Sequence, residues 1–275
     1  MTLEEICESI CLQSQMKRKV LNHEKEIDEK TLEPWYIEMY NPVLRDKAVK
    51  QIAGVLGEDP EGSKMLTVML LRTIESYKEY QKRGISNTIF KDTMKFCTRF
   101  IEEHYEIHGS YAFVWGWWFP RQIALQEFRI GALEYEMIEQ EGKKLINIHI
   151  PADADMDIKS LQQSYVEARS FFSEFFPEYE QSDMVCDSWL LSPTLRNLLP
   201  ENSNIVIFQE AFDITKVKQE GDSGIRWVYG RTDIPVHELP EHTSLQKRIK
   251  TLLLEGGNVG EAYGRLKSNP WEQYY

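Results

Sequence analysis

Up to Pro120, apolar residues recur at helical spacing, and no strand-like alternation of useful length interrupts them. Thr2 with Glu5 forms a T-x-x-E capping box that predicts a short opening helix. Asn41 followed by Pro42 predicts a helix start, and Leu44, Ala48, Ile52 and Leu56 give it one apolar stripe ending at Gly57. Asp59-Pro60 repeats the start signal ahead of Leu66, Leu70, Ile74 and Tyr77, a stripe that runs to Gly84. Phe90, Met94, Cys97 and Ile101 make one more.

After Trp115-Gly-Trp-Trp-Phe-Pro120 the period changes. Phe128 to Met137 is rich in strand formers and leads into the turn-prone Glu139 to Lys143. Ile146, Ile148 and Ile150 then alternate with Asn147 and His149, which predicts an antiparallel hairpin. Asp157 is placed to cap a helix carrying Ile158, Leu161, Tyr165, Ala168, Phe172 and Phe175, stopped at Pro177. Met184 to Leu191 reads as a strand, Ser192-Pro193 as the start of a short helix, and Asn204 to Ile214 as the clearest strand of all. Asp222-Ser-Gly224 reads as a turn into a strand at Ile225 to Tyr229, followed by a helix from Ser244 to Leu254 and a Gly-rich, aromatic tail from Gly256. The expected organisation is α+β, with a helical domain over 1–120 and a mixed α/β sheet domain over 121–275.

Composition narrows the function. The 275 residues carry 44 acidic and 32 basic side chains, a net charge of −12, which opposes binding to nucleic-acid phosphates or anionic membranes. The longest apolar stretch, Ala112 to Phe119, is too short to span a bilayer, and Met1-Thr-Leu-Glu-Glu-Ile has no basic start or long apolar core. Four cysteines do not make a disulfide framework. The expectation is a cytoplasmic protein with no membrane or nucleic-acid partner.

Four segments carry a resemblance. Phe128-Arg-Ile-Gly-Ala-Leu-Glu-Tyr-Glu136, Ile148-His-Ile-Pro151, Cys186-Asp-Ser-Trp-Leu-Leu191 with Pro193, and Leu199-Pro-Glu-Asn-Ser-Asn-Ile205 leading into Phe208 and Phe212 resemble motifs of uncharacterised bacterial acyltransferase domain-containing proteins. Those pair a helical N-terminal domain with a GNAT-like C-terminal domain. The resemblance implies acyl transfer from acyl-CoA or acetyl-CoA, as co-substrate, to a small-molecule amine, with no metal. A degenerate GNAT-like module that binds a ligand or protein without catalysis is the alternative. It also implies two splayed neighbouring strands, here Leu145–Ile150 and Met184–Leu191, that receive the pantetheine arm, with Ile148, Ile150, Ala152 and Ser188 as cofactor-binding residues. The pyrophosphate would then meet the N-terminus of the intervening helix. The usual glycine loop there is replaced by Pro151-Ala-Asp-Ala-Asp-Met-Asp157, in which Asp153 and Asp155 are expected to repel it.

Candidate catalytic groups follow. Glu210 shares a strand face with Val206, Phe208, Phe212 and Ile214, where desolvation favours a general base; an acid paired with Arg or Lys is the plainer reading. Glu134 and Glu136 share a face of the Phe128 strand and offer a base for the amine, against a solvated sheet face. His149 ends a strand flanking the expected cleft and is a base or a hydrogen-bonded structural histidine. Cys186 is a nucleophile only if it is not inert packing, and Cys7 with Cys11, one helical turn apart, reads as a pair of semi-buried helix residues rather than metal ligands. His104 and His108 are spaced i, i+4 but lack a third ligand. Trp115, Trp117 and Trp118 line a cleft or build a core. Gly256 to Gly260 reads as a helix C-cap.

Overall fold

The computed structural model describes residues 1–268 and 270; the aromatic end of the tail, 271–275, lies outside the described residues. The chain divides into two compact units, Met1–Ile130 and Gly131–Tyr275.

The first unit is built from helices α1 (Leu3–Ser9), α2 (Ser14–His23), α3 (Glu29–Tyr40), α4 (Arg45–Leu56), α5 (Ser63–Arg83), α6 (Asn87–Met94), α7 (Phe96–His108) and α8 (Pro120–Ile123), and ends in β1 (Glu127–Ile130). The Thr2 capping box is formed in both directions, and Gly57 and Gly84 close α4 and α5 with positive φ. Two start signals act at a distance. The Asn41 side chain accepts from the N–H groups of Val43 and Leu44, making a turn, so α4 begins only at Arg45. The Asp59 carboxylate accepts from Lys64 and Met65, bridging to the first turn of α5. The stripe through Phe90, Met94, Cys97 and Ile101 is buried throughout but is shared by two helices that break at Lys95. Within this unit Trp115 stacks on Trp117 at 5.4 Å and lies 4.2 Å from Phe100, while Phe96 and Phe119 stack at 5.6 Å.

The second unit contains β2 (Leu133–Gln140), β3 (Lys143–His149), α9 (Ile158–Phe175), β4 (Asp183–Ser188), α10 (Pro193–Leu198), α11 (Asn204–Glu210), β5 (Phe212–Lys218), α12 (Ser223–Tyr229), α13 (Ser244–Leu254) and β6 (Glu261–Leu266). Its strands lie in the order β2-β3-β4-β6-β5, with β3 and β4 parallel and the other pairs antiparallel. The hairpin turn falls at Glu141 and Gly142, both at positive φ, as a two-residue type I′ turn requires. Leu133, Tyr135, Ile146, Ile148, Met184 and Cys186 make one buried sheet face. Helix α9 lies on it through Leu161, Tyr165, Ala168 and Phe172, and the Tyr135 hydroxyl shares a 2.8 Å hydrogen bond with that of Ser164. Leu195, Tyr229, Leu239, Ile249 and Val259 form a separate cluster that joins α10, α12 and α13.

Four expectations change. The Phe128–Met137 segment is broken at Gly131, at φ 60°, into β1 and β2. The β4 strand stops at Ser188, and Trp189–Leu191 is a 3₁₀ turn. The run read as the clearest strand is α11 followed by β5. Its residues favour strands by propensity, but tertiary packing overrides propensity. Val206 and Gln209, one turn apart, are buried together, and the Gln209 amide donates to the carbonyls of Leu190 and Ser192. Ile225–Tyr229 is helical too, and the strand that pairs with β5 is β6, from the segment read as a glycine-rich tail.

Candidate functional site

Two strands that begin side by side and then part define the site. The parallel ladder between β3 and β4 is confined to Leu145/Asp183, Ile146/Met184 and Asn147/Val185. Beyond it β3 stays paired with β2 as far as His149, and β4 stays paired with β6 as far as Ser188. Ile148 and His149 therefore leave the ladder on one side, and Cys186, Asp187 and Ser188 leave it on the other. The parting is local in origin. Pro151 has no N–H with which to continue the β3 ladder. At the other strand the Ser188 hydroxyl accepts from the Leu190 N–H and turns the chain into the 3₁₀ segment. Parted strands leave backbone donors and acceptors on both edges, a setting for a ligand rich in amides.

On the sheet face opposite α9, the type I′ turn fixes Glu136 opposite Asn147 and Glu134 opposite His149. His149 Nε2 lies 2.9 Å from Glu136 Oε2, a diagonal cross-strand pair, and 3.2 Å from Asn147 Nδ2. The His149 and Glu136 side chains retain only 22% and 13% exposure. Glu134 is buried. A carboxylate on Nε2 favours the tautomer with its proton there, which leaves the lone pair on Nδ1. In that tautomer the Asn147 amide presents its oxygen, since the two ends of an amide are interchangeable by a flip.

The predicted residues thus divide. Glu134 and His149 are brought together, with Ile148 on the same strand and Ile150 just past its end. Ser188 closes β4 across the gap. Ala152 sits in the exposed turn before α9. Glu210 ends α11 rather than occupying a strand, and Arg196 pairs with it at 2.9 Å, so the apolar strand face that argued for a raised pKa does not exist. Glu136, one of two carboxylates read on its face, is in hydrogen-bonding contact with the imidazole. Its contact with His149 comes from the cross-strand register of the folded hairpin.

The other candidates fall away on geometry. Burial pushes the Cys186 thiol far above its ordinary range, which leaves it a poor nucleophile. Cys7 and Cys97 are pushed up to about 12, also by burial. The His104 and His108 rings are 4.5 Å apart, and His104 Nδ1 is engaged by the Ser110 carbonyl at 2.6 Å. His237 lies in a 3₁₀ turn and His242 in the loop before α13. Gly256 follows α13 at φ 81°, its N–H on the Leu253 carbonyl, as a C-cap.

At the start of α9, Asp155 accepts from the Asp157 N–H and the Ser160 hydroxyl, and Asp157 accepts from the Lys159 N–H. Among the described residues no helix is long and apolar enough to cross a membrane.

Comparison with known proteins agrees with this architecture. No curated protein matches. An acyltransferase mutant in complex with octanoyl-CoA superposes with a TM-score of 0.77 at 18% identity, over 96% of this chain and 86% of that one. An acyltransferase in complex with decanoyl-CoA and teicoplanin gives 0.71 at 18% identity, over 98% and 100%. One in complex with CoA and 10C-teicoplanin gives 0.72 at 19%, over 98% and 100%. Residues 1–125 match the N-acyltransferase N-terminal domain. With residues 127–266 matching the GNAT-like C-terminal domain, over half of the sequence, the chain belongs to the family defined by that domain.

Proposed function

We propose that the protein is an N-acyltransferase that moves an acyl group from acyl-CoA to the amine of a small molecule. The parting of β3 and β4 carries this reading, because it leaves two backbone edges where an amide-bearing pantetheine arm can be held. Family membership and the acyl-CoA complexes of similar folds support it. The residues fit the donor in part. The edges at Ile148, Ile150 and Ser188, with Ala152 beyond them, suit the pantetheine, whereas the acidic start of α9 does not suit a pyrophosphate.

When bound, acyl-CoA supplies a thioester carbonyl open to attack. His149 acts as the base. Its Nδ1 takes the proton from the acceptor amine as the C–N bond forms and the C–S bond breaks, and that proton goes on to the departing thiolate. Glu136 holds the imidazole in the required tautomer and stabilises the imidazolium. Glu134, opposite His149, adds negative charge that stabilises the positive charge developing on the nitrogen of the neutral amine as it attacks. A cytoplasmic location, where acyl-CoA is held, goes with this reading.

The test is amide formation. Wild-type protein is incubated with octanoyl-CoA and a panel of primary amines, with products read by mass spectrometry. His149→Ala should lower kcat by about 10²–10⁴ with little change in octanoyl-CoA binding. Absence of both octanoyl-CoA binding and amide product in the wild type would overturn the reading.

A further inference from the structure

The donor end of the site has a feature that concerns which part of the donor is recognised, and the argument rests on the acyl-transfer reading above. A helix N-terminus binds phosphate when its first N–H groups converge on the anion and a glycine lets the backbone approach. Neither condition holds at α9. The segment from Pro151 to Asp157 has no glycine and three carboxylates. The N–H groups of Asp157 and Lys159 are already given to carboxylates, and so is the Ser160 hydroxyl. The hydroxyl of Ser160 and the N–H of Asp157 hold the Asp155 carboxyl below the usual carboxylate range, which favours its charged form. Lys159 is the one cationic side chain between Pro151 and Ser164. By contrast, the gap between β3 and β4 offers unladdered backbone from Ile148 and His149 on one edge and from Cys186 to Ser188 on the other. The recognition capacity of this cleft is therefore for amides and an acyl thioester, and its mouth disfavours the anionic groups of CoA.

We propose that the protein recognises its donor through the acyl-pantetheine arm alone, with the diphosphate and nucleotide of CoA contributing no affinity. A thioester of pantetheine or of 4′-phosphopantetheine then binds at least as well as the CoA thioester does. Repulsion across the mouth is screened by salt, so the CoA thioester should gain most from it, the 4′-phosphopantetheine thioester less, and the phosphate-free pantetheine thioester not at all.

The experiment is calorimetric titration of the wild-type protein with octanoyl-CoA, octanoyl-4′-phosphopantetheine and octanoyl-pantetheine, each at 50 and 500 mM salt, with adenosine 3′,5′-diphosphate as competitor. The expected result is Kd values within about threefold of one another at high salt and no competition by the nucleotide. At low salt octanoyl-CoA should be the weakest of the three. A preference of tenfold or more for octanoyl-CoA over octanoyl-pantetheine, or displacement of octanoyl-CoA by the nucleotide, would overturn this inference and leave the acyltransferase reading standing. If no octanoyl thioester binds, the acyltransferase reading falls with it.

Discussion

Replacing Glu136 by Gln is the most direct test of the chemistry assigned to His149. The substitution keeps the size of the side chain and an acceptor oxygen, and removes only the charge. In the resting state a neutral imidazole donates to either side chain. Once the imidazole has taken a proton, a carboxylate stabilises it and an amide does not, so the loss falls on the transition state. Hydrogen bonds to charged groups are worth about 1.5–3 kcal/mol. The Glu136 and His149 side chains are 13% and 22% exposed, so water screens part of this, and the lower end of the range, about 1.5–2 kcal/mol, applies. At about 1.4 kcal/mol per factor of ten, kcat should fall roughly ten- to thirtyfold. KM for octanoyl-CoA should stay within about twofold, because Glu136 lies on the sheet face away from α9 and off the donor edges. The assay is steady-state thiol release with a primary amine acceptor, and Glu136→Asp should recover part of the loss. A variant within twofold of wild type in kcat, or a loss confined to KM, would refute the role of Glu136.

Three further outcomes are expected. Gly62→Ala should destabilise the protein by at least about 2 kcal/mol in urea unfolding, because φ is +67° at Gly57 and +65° at Gly62 but a Cβ at Gly62 alone meets the Phe113 carbonyl oxygen at 1.9 Å. Gly57→Ala has open space around it, so its cost of about 1–3 kcal/mol should come from the backbone alone, which at φ +67° and ψ −146° is a conformation only glycine adopts freely. Burial, with the neighbouring Glu106, raises the Glu103 carboxyl, so the folded state binds its proton more readily than the unfolded state does. Stability should therefore rise as pH falls through that raised value, and Glu103→Gln should raise Tm at pH 7 by a margin that vanishes in acid. Finally, of the four cysteines only Cys11 is exposed, so a thiol reagent should label one site in the native protein near neutral pH, and Cys186→Ser should retain amide-forming activity.

The sequence by itself determined whatever depends on neighbours in the chain. The Thr2 capping box, the glycine closures of α4 and α5, the Asp157 cap of α9 and the turn at Glu141 and Gly142 are short-range structures, and their residues specify them wherever the rest of the chain lies. The same holds for β3, legible from its own alternation, whereas β4 was expected to run on to Leu191 and its parting from β3 came only from the family resemblance. Only the tertiary structure decided that Asn204 to Glu210 is helical, because the burial of Val206 and Gln209 and the hydrogen bonds to Leu190 and Ser192 come from segments distant in sequence. It also decided that β6, whose Glu261-Ala-Tyr-Gly-Arg-Leu266 pattern is weak in isolation, sits between β4 and β5, where ladder hydrogen bonds from both sides outweigh its propensity. Of the candidate bases, Glu210 was placed by an alternation of apolar residues that the helix does not use. His149 acquired a carboxylate partner through a cross-strand diagonal that only the folded register brings within hydrogen-bonding distance.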